Sequence, residues 1–473
     1  MMLRSKILLA ALLLIPALFA FSLTGRNVLE YRAAEADKGN SFFENRLDLR
    51  MNHSDITLGL TYEAMQPSRE TALTRPDSTY TDVTQRWAMF RQDAFEITAG
   101  TFMSTLGNGL LIDARERREL QQDHHLDGAK VLVRALDTDL NFIAGLADWD
   151  NKTRFIGAEI TSNRKYLPIG AGYIRYDVDG GSLLPDMIGE TYEIHATPEY
   201  GPVAANFRYA QTWRGPTSGG VDHTGSIIHG SLSGFFGPVT FFSEFVASDS
   251  FIVKGYGEDY VTLPLIVHQP SYTLMSRHLA ILNPREVTAF SGELGIFPVF
   301  DVEITASFAM VDHPVDANDY TEAYFQAFRE WDNLALRGIY EIQLPGEEDP
   351  THNIVVEPLY YFNDRASLIL DFEFQSGVEF DEKATNLYGL AEFTLSPYGA
   401  IGVEGGSIQE WSLENNKLEP ENFVRFYIDG DIAKNHKLTL AYGKRPGGFT
   451  CSGGTCRMEP QFEGFELKLS SSF

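Results

Sequence analysis

Apolar and polar residues alternate along most of this chain. Between Phe43 and Met51, Phe43, Asn45, Leu47, Leu49 and Met51 share one parity, and Glu44, Arg46, Asp48 and Arg50 share the other. Ile56, Leu58, Leu60, Tyr62 and Ala64 alternate in the same way with Thr57, Gly59, Thr61 and Glu63. The pattern returns at Leu368, Leu370, Phe372 and Phe374, and again at Val424, Phe426 and Ile428. A period of two predicts strands whose faces meet unlike surroundings, and the three- and four-residue spacing of an amphipathic helix is missing from these segments. Roughly two dozen such segments follow one another, among them 41–52, 55–65, 109–120, 367–377, 422–432 and 462–473. Many run to about ten residues, against five or six for a soluble strand, and that is the length a tilted strand needs to cross a bilayer.

The connections differ in kind. Asn52-His53-Ser54 and Ser396-Pro397-Tyr398-Gly399 are tight, whereas Pro67 to Thr81, Arg214 to Asp222 and Glu410 to Glu421 are long and polar. Short turns on one rim and long loops on the other suit a membrane barrel. The predicted fold is therefore all-β: a large transmembrane antiparallel β-barrel of about 22–26 strands with periplasmic termini. The stretch near 248–285 breaks the alternation and carries Pro264, Pro270 and Pro284. It reads as a long outer loop or a lumenal insertion, with Thr262 to Val267 as a further candidate strand. The rival fold is a soluble secreted β-sandwich or β-helix, which would be extracted without detergent.

Arg4 and Lys6 precede an apolar run from Ile7 to Phe21, and Ala20-Phe21-Ser22 supplies small residues for a signal peptidase. This predicts a signal peptide over 1–22, cleaved after 20 or 22, ahead of a single barrel over 23–473. The alternative, an N-terminal anchor helix, is short for a span. Composition narrows the class further. Lys and Arg number 38 against 65 Asp and Glu, a formal net charge of -27, which disfavours nucleic acid as a partner. Two cysteines exclude a disulfide-dense scaffold or a cysteine-rich metal protein.

In the last strand Phe465, Leu467, Leu469 and the terminal Phe473 share one parity. This ending resembles the C-terminal strand of bacterial outer-membrane proteins, which implies that these four residues form a signal read by the barrel-insertion machinery. The region after the signal peptide resembles outer-membrane barrels throughout. More narrowly, it resembles a family of large uncharacterised barrels from Bacteroidetes-like bacteria. That likeness rests on Gly100 to Gly109 running into Leu110-Leu111-Ile112, on the loop from Arg445 to Arg457, and on the ending at Phe473. It implies the fold and the outer membrane of a Gram-negative-type cell, with lipid and lipopolysaccharide as surroundings. It implies no transported molecule.

A barrel this large needs water, an inward loop, a plug or a partner in its lumen. Asp113, Arg115, Arg117 and Glu119 belong to the densest mixed-charge run and are candidates for a constriction; a salt-bridged rim is the plainer reading. Asp371 and Glu373 are further lumen candidates. With Asp48, Glu63, Glu392 and Asp429 they would favour cations in a pore. Cys451 and Cys456 stand five apart in a glycine-rich loop, and in an oxidising compartment they are expected to form a disulfide. His124 and His125 are adjacent, so in a strand they point oppositely, and no metal site is expected there. No P-loop, HExxH or Gly-x-Ser-x-Gly pattern occurs, so neither an enzyme nor a cofactor is expected. The leading functional expectation is a porin-like channel for small polar solutes. The competing one is a non-conducting structural barrel or a scaffold for a protein partner.

Overall fold

The computed structural model describes residues 21–35, 41–66, 79–117, 122–147, 152–181, 186–216, 221–254, 259–261, 272–275, 286–299, 301–313, 319–346, 349–379, 382–412, 417–452, 455–459 and 461–473. Its main feature is one closed antiparallel sheet. The first strand, Ser22–Ala34, pairs with Phe42–His53 on one side and with the last strand, Phe462–Ser472, on the other. The two-residue Glu199–Tyr200 continues Met187–Ala196 along the same neighbour, Val203–Pro216. Counted so, the wall has 24 strands.

Alternation becomes inside and outside. In Thr153–Ser162, Ile156 and Ile160 are exposed on the outer face while Phe155 is fully buried on the inner one. Ile194, Phe207, Phe372, Ile401 and Phe426 continue the apolar outer surface around the sheet. Closure leaves no unpaired strand edge, and the side chains that face outward are the ones hydrocarbon accepts. Short turns, such as those between His53 and Ile56 and between Phe236 and Val239, lie on one rim; Ile56–Gln66 and Val239–Asp249 end, and Tyr80–Gln92 and Glu286–Val299 begin, at the other. Both ends of the sheet meet at the short-turn rim, where Gly25 and Phe473 exchange backbone hydrogen bonds of 2.8 and 3.0 Å.

The closing seam is tied from within by charge. Glu466 of the last strand lies 2.9 Å from Arg32 Nε and 3.0 Å from Arg425 Nη2, and Arg425 Nη1 donates to Glu404 at 2.7 Å. These groups alternate with outward Phe465 and Leu467, so one strand serves both lipid and lumen.

The structure corrects two expectations. Of the expected strand 109–120, the described residues 109–117 are not part of the wall, because Phe95–Phe102 pairs directly with Leu126–Ala135. The apolar positions there are buried inside the barrel instead of facing lipid. The expected Cys451–Cys456 disulfide is also withdrawn: no disulfide bond is present among the described residues, and these two side chains lie outside them. What closes this loop is its backbone ladder, in which Gly448–Ser452 pairs with Thr455–Glu459. Residues 1–20 of the expected signal peptide and the candidate strand Thr262 to Val267 lie outside the described residues, and Ser22 already opens the first strand.

Candidate functional site

Two segments of the chain enter the lumen. The first follows Phe102. Ser104–Leu106 pairs with Ile112–Ala114 around the tight turn Gly107–Gly109, and Asn108 at φ 53° lets the chain reverse. Leu106, Leu111 and Ile112 pack fully buried against the inward wall residues Phe155 and Ile174. Burying each such side chain contributes about 1.5–3 kcal/mol. The second segment follows Asp249. Its Phe251 joins Leu110 in a cluster with Ile227, Val246 and Val287, while Val253 and Tyr260 join the cluster around Phe155. The segments also bond to each other, since the Asp113 N–H donates to the Tyr260 carbonyl at 2.7 Å.

Farther along, residues 272–275 are fastened to another part of the wall. Glu373 accepts the Thr273 N–H at 2.9 Å on one carboxylate oxygen and the Leu274 N–H at 2.6 Å on the other. Gln375 Nε2 donates to the Leu274 carbonyl at 2.8 Å and to Asn353 Oδ1 at 2.9 Å, and Asn353 donates to Glu341 at 2.8 Å. This polar row crosses neighbouring strands and replaces the water those backbone groups would otherwise need. Tyr272 lies 3.2 Å from Arg337 Nη1. Burial pushes the Tyr272 hydroxyl up to about 12, so it stays protonated at neutral pH.

A cavity of about 370 Å³ remains on the inner wall of the first four strands. Arg26, Arg46, Asp48, Arg50, Gln85 and Trp87 line it, with Met103 of the first inward segment at its edge. Arg46 is engaged, reaching Glu116 at 2.5 Å, Glu63 at 3.1 Å and Asp48 at 3.0 Å. Among the described residues Arg26 makes no ion pair; Arg50 makes none either and lies over the Trp87 ring at 6.0 Å. The cavity thus presents cationic and aromatic groups, whereas several of the wall carboxylates expected to favour cations are paired. Glu63 meets Arg46, and Asp429 meets Lys437 at 2.8 Å.

The sequence candidates fall in different places. Asp113 is buried in the first inward segment and holds Arg115 through two hydrogen bonds of 2.5 and 2.8 Å. That contact raises the Arg115 pKa. Arg117 pairs through its backbone with Gln122, its side chain lying outside the described residues, as does the whole of Glu119. Asp371 and Glu373 are buried inward neighbours on Ala366–Glu379. Phe465 and Phe473 are exposed on the lipid side. His124 and His125 are buried, with the His124 ring 4.7 Å from that of Tyr260. The sequence reading did not find the convergence of Glu159, Glu193 and His195 over the strand Ile169–Val178. Its trace is the pair Glu193 and His195, two apart on one face, beside a strand with glycine at 170 and 172.

Solved structures with a similar fold include the P pilus usher PapC translocation pore, at 10% identity and a TM-score of 0.49, covering 96% of this chain and 99% of that one. The copper transporter OprC is similar at 9% identity and a TM-score of 0.48, over 96% of this chain and 80% of that one. The siderophore receptor PirA from Pseudomonas aeruginosa is similar at 7% identity and a TM-score of 0.47, over 95% and 80%. No curated protein sequence matches the chain. A family profile does match it, over residues 29–148 and 340–473, regions that hold the first inward segment, Arg46 and Arg50 of the cavity, and the charged pairs of the closing seam; the chain belongs to the Family of unknown function (DUF6029).

Proposed function

We propose that the protein is a non-enzymatic outer-membrane barrel that passes small polar solutes through a lumen narrowed by its own chain. The supporting observation is the uneven filling of that lumen. Apolar clusters around Phe155 and Ile227 seat the inward segments, and an arginine-lined cavity at Arg26, Arg46 and Arg50 is left beside them. The outer apolar face supports contact with lipid and lipopolysaccharide, and the exposed Phe473 beside Gly25 supports recognition by the insertion machinery. We assign the short-turn rim, which carries both ends of the sheet, to the periplasm. Swelling of proteoliposomes in a series of neutral sugars tests the reading. Entry of the smallest sugars and exclusion of the larger ones is expected; equal exclusion of all of them sinks it.

A second reading, a closed barrel that scaffolds a protein partner, rests on a different observation. The row Glu341, Asn353, Gln375 and Glu373 fixes residues 272–275 through backbone as well as side-chain bonds. It predicts no permeation and a partner that co-purifies in fixed ratio.

A further inference from the structure

Four neighbouring strands place a compact set of ligand-type groups on the inner wall, near the short-turn rim. Glu159 of Thr153–Ser162 stands opposite Gly172, which stands opposite Glu193 of Met187–Ala196. In the next row Thr161 faces Gly170, Gly170 faces His195, and His195 faces Arg208. Residues two apart on a strand share a face, so Glu193 and His195 project together. The strand between them and Glu159 offers no side chain at either row. A Cβ at Gly170 would lie 2.3 Å from the His195 ring, and one at Gly172 would lie 2.2 Å from Leu111 of the first inward segment. The two glycines therefore form a bare saddle across which groups from both flanking strands meet. One ligand atom each from Glu159, Glu193 and His195 lies within 4.8 Å of the others.

The surroundings suit a metal better than a simple ion pair. His195 Nδ1 lies 3.0 Å from Glu193 Oε2, while its Nε2 lies 3.4 Å from the Thr161 hydroxyl, a partner that orients the ring. Arg208 donates to Glu193 Oε1 at 3.0 Å, while His195 Nδ1 spans both carboxylate oxygens at 3.1 and 3.0 Å. Two carboxylates and one guanidinium meet in a largely buried place, where an unbalanced charge calls for a counterion. Two carboxylates and an imidazole form a borderline nitrogen–oxygen donor set. We propose that Glu159, Glu193 and His195 bind one divalent transition-metal cation of the zinc class. Glu159 also accepts the Gly107 N–H at 3.2 Å, so the bound cation would sit directly beneath the first inward segment.

The test uses the full chain, tag-free, stripped with chelator and held in detergent, with zinc chloride as the probe. Calorimetric titration should give one equivalent. His195→Ala, Glu193→Gln and Glu159→Gln should each weaken zinc by at least about tenfold, since even outer-sphere partners of a metal are worth 10- to 100-fold. Heat-modifiable gel mobility checks that each variant is a folded barrel. Zinc-edge X-ray absorption on the unaltered protein covers the case in which a variant fails to fold: it should show one imidazole among oxygen neighbours. No stoichiometric zinc, equal affinity in all folded variants, or a zinc shell without imidazole would overturn the proposal.

Discussion

Glu466 illustrates what a single lumenal residue does. Its carboxylate gathers Arg32 at 2.9 Å, Arg425 at 3.0 Å and Arg445 at 3.5 Å where the sheet closes. Removing it takes a shared carboxylate from three cations in a poorly hydrated place, leaving Arg32 with Glu30 and Arg425 with Glu404. Glu466→Ala should cost about 3–5 kcal/mol, the range for breaking one side of a buried pair. Urea unfolding in detergent micelles measures this, and a loss below about 1 kcal/mol would mean that the seam pairs behave as exposed ones. Arg26 and Arg50 make the opposite case, as cations lining the cavity without an ion pair among the described residues. Replacing both with alanine should shift the reversal potential in a salt gradient toward cation preference. An unchanged reversal potential would remove this cavity from the conduction path. Inward charges such as Arg46 and Glu63 were legible as the polar parity of their strands, but their partners were not. Arg46 meets Glu116 seventy positions away, a distance no local pattern encodes.

At the scale of elements, the wall strands were the most readable, because lipid outside and a polar lumen inside impose a strict period of two. The inward segments were harder to read. Residues 109–120 alternate well enough to look like a wall strand, yet Leu110, Leu111 and Ile112 are consecutive and all buried, which the interior of a plugged barrel allows and a wall strand does not. The region after Asp249 announced itself by losing the alternation, without showing where it goes. Gly225 marks where that segment begins to turn inward: a Cβ there would lie 2.0 Å from the Ser250 carbonyl oxygen and 2.7 Å from the Phe251 nitrogen. Both are backbone atoms, so the clash cannot be relieved by a rotamer. Gly225→Ala should displace the segment from the cluster around Ile227 and speed limited proteolysis near residues 250–261. Cleavage at the rate of the unaltered protein would show that the seat is looser than the packing implies.

For the whole molecule, closure joins these parts into one account. A 24-strand wall is too wide for its own side chains to fill, so the lumen's contents set what passes. The two inward segments fill part of the lumen through apolar packing, and Glu373 and Gln375 hold residues 272–275 against the wall. Glu373→Ala leaves the Thr273 and Leu274 N–H groups without their acceptor, at about 1–3 kcal/mol each, and so loosens the filling without touching the wall ladder. The direct test is single-channel recording in planar bilayers, comparing the unaltered protein with Glu373→Ala. The account predicts small, steady current steps that grow larger or flicker in the variant. Absence of current from both proteins, or steps of wide-pore size that the variant leaves unchanged, would contradict a channel narrowed by its own inward segments.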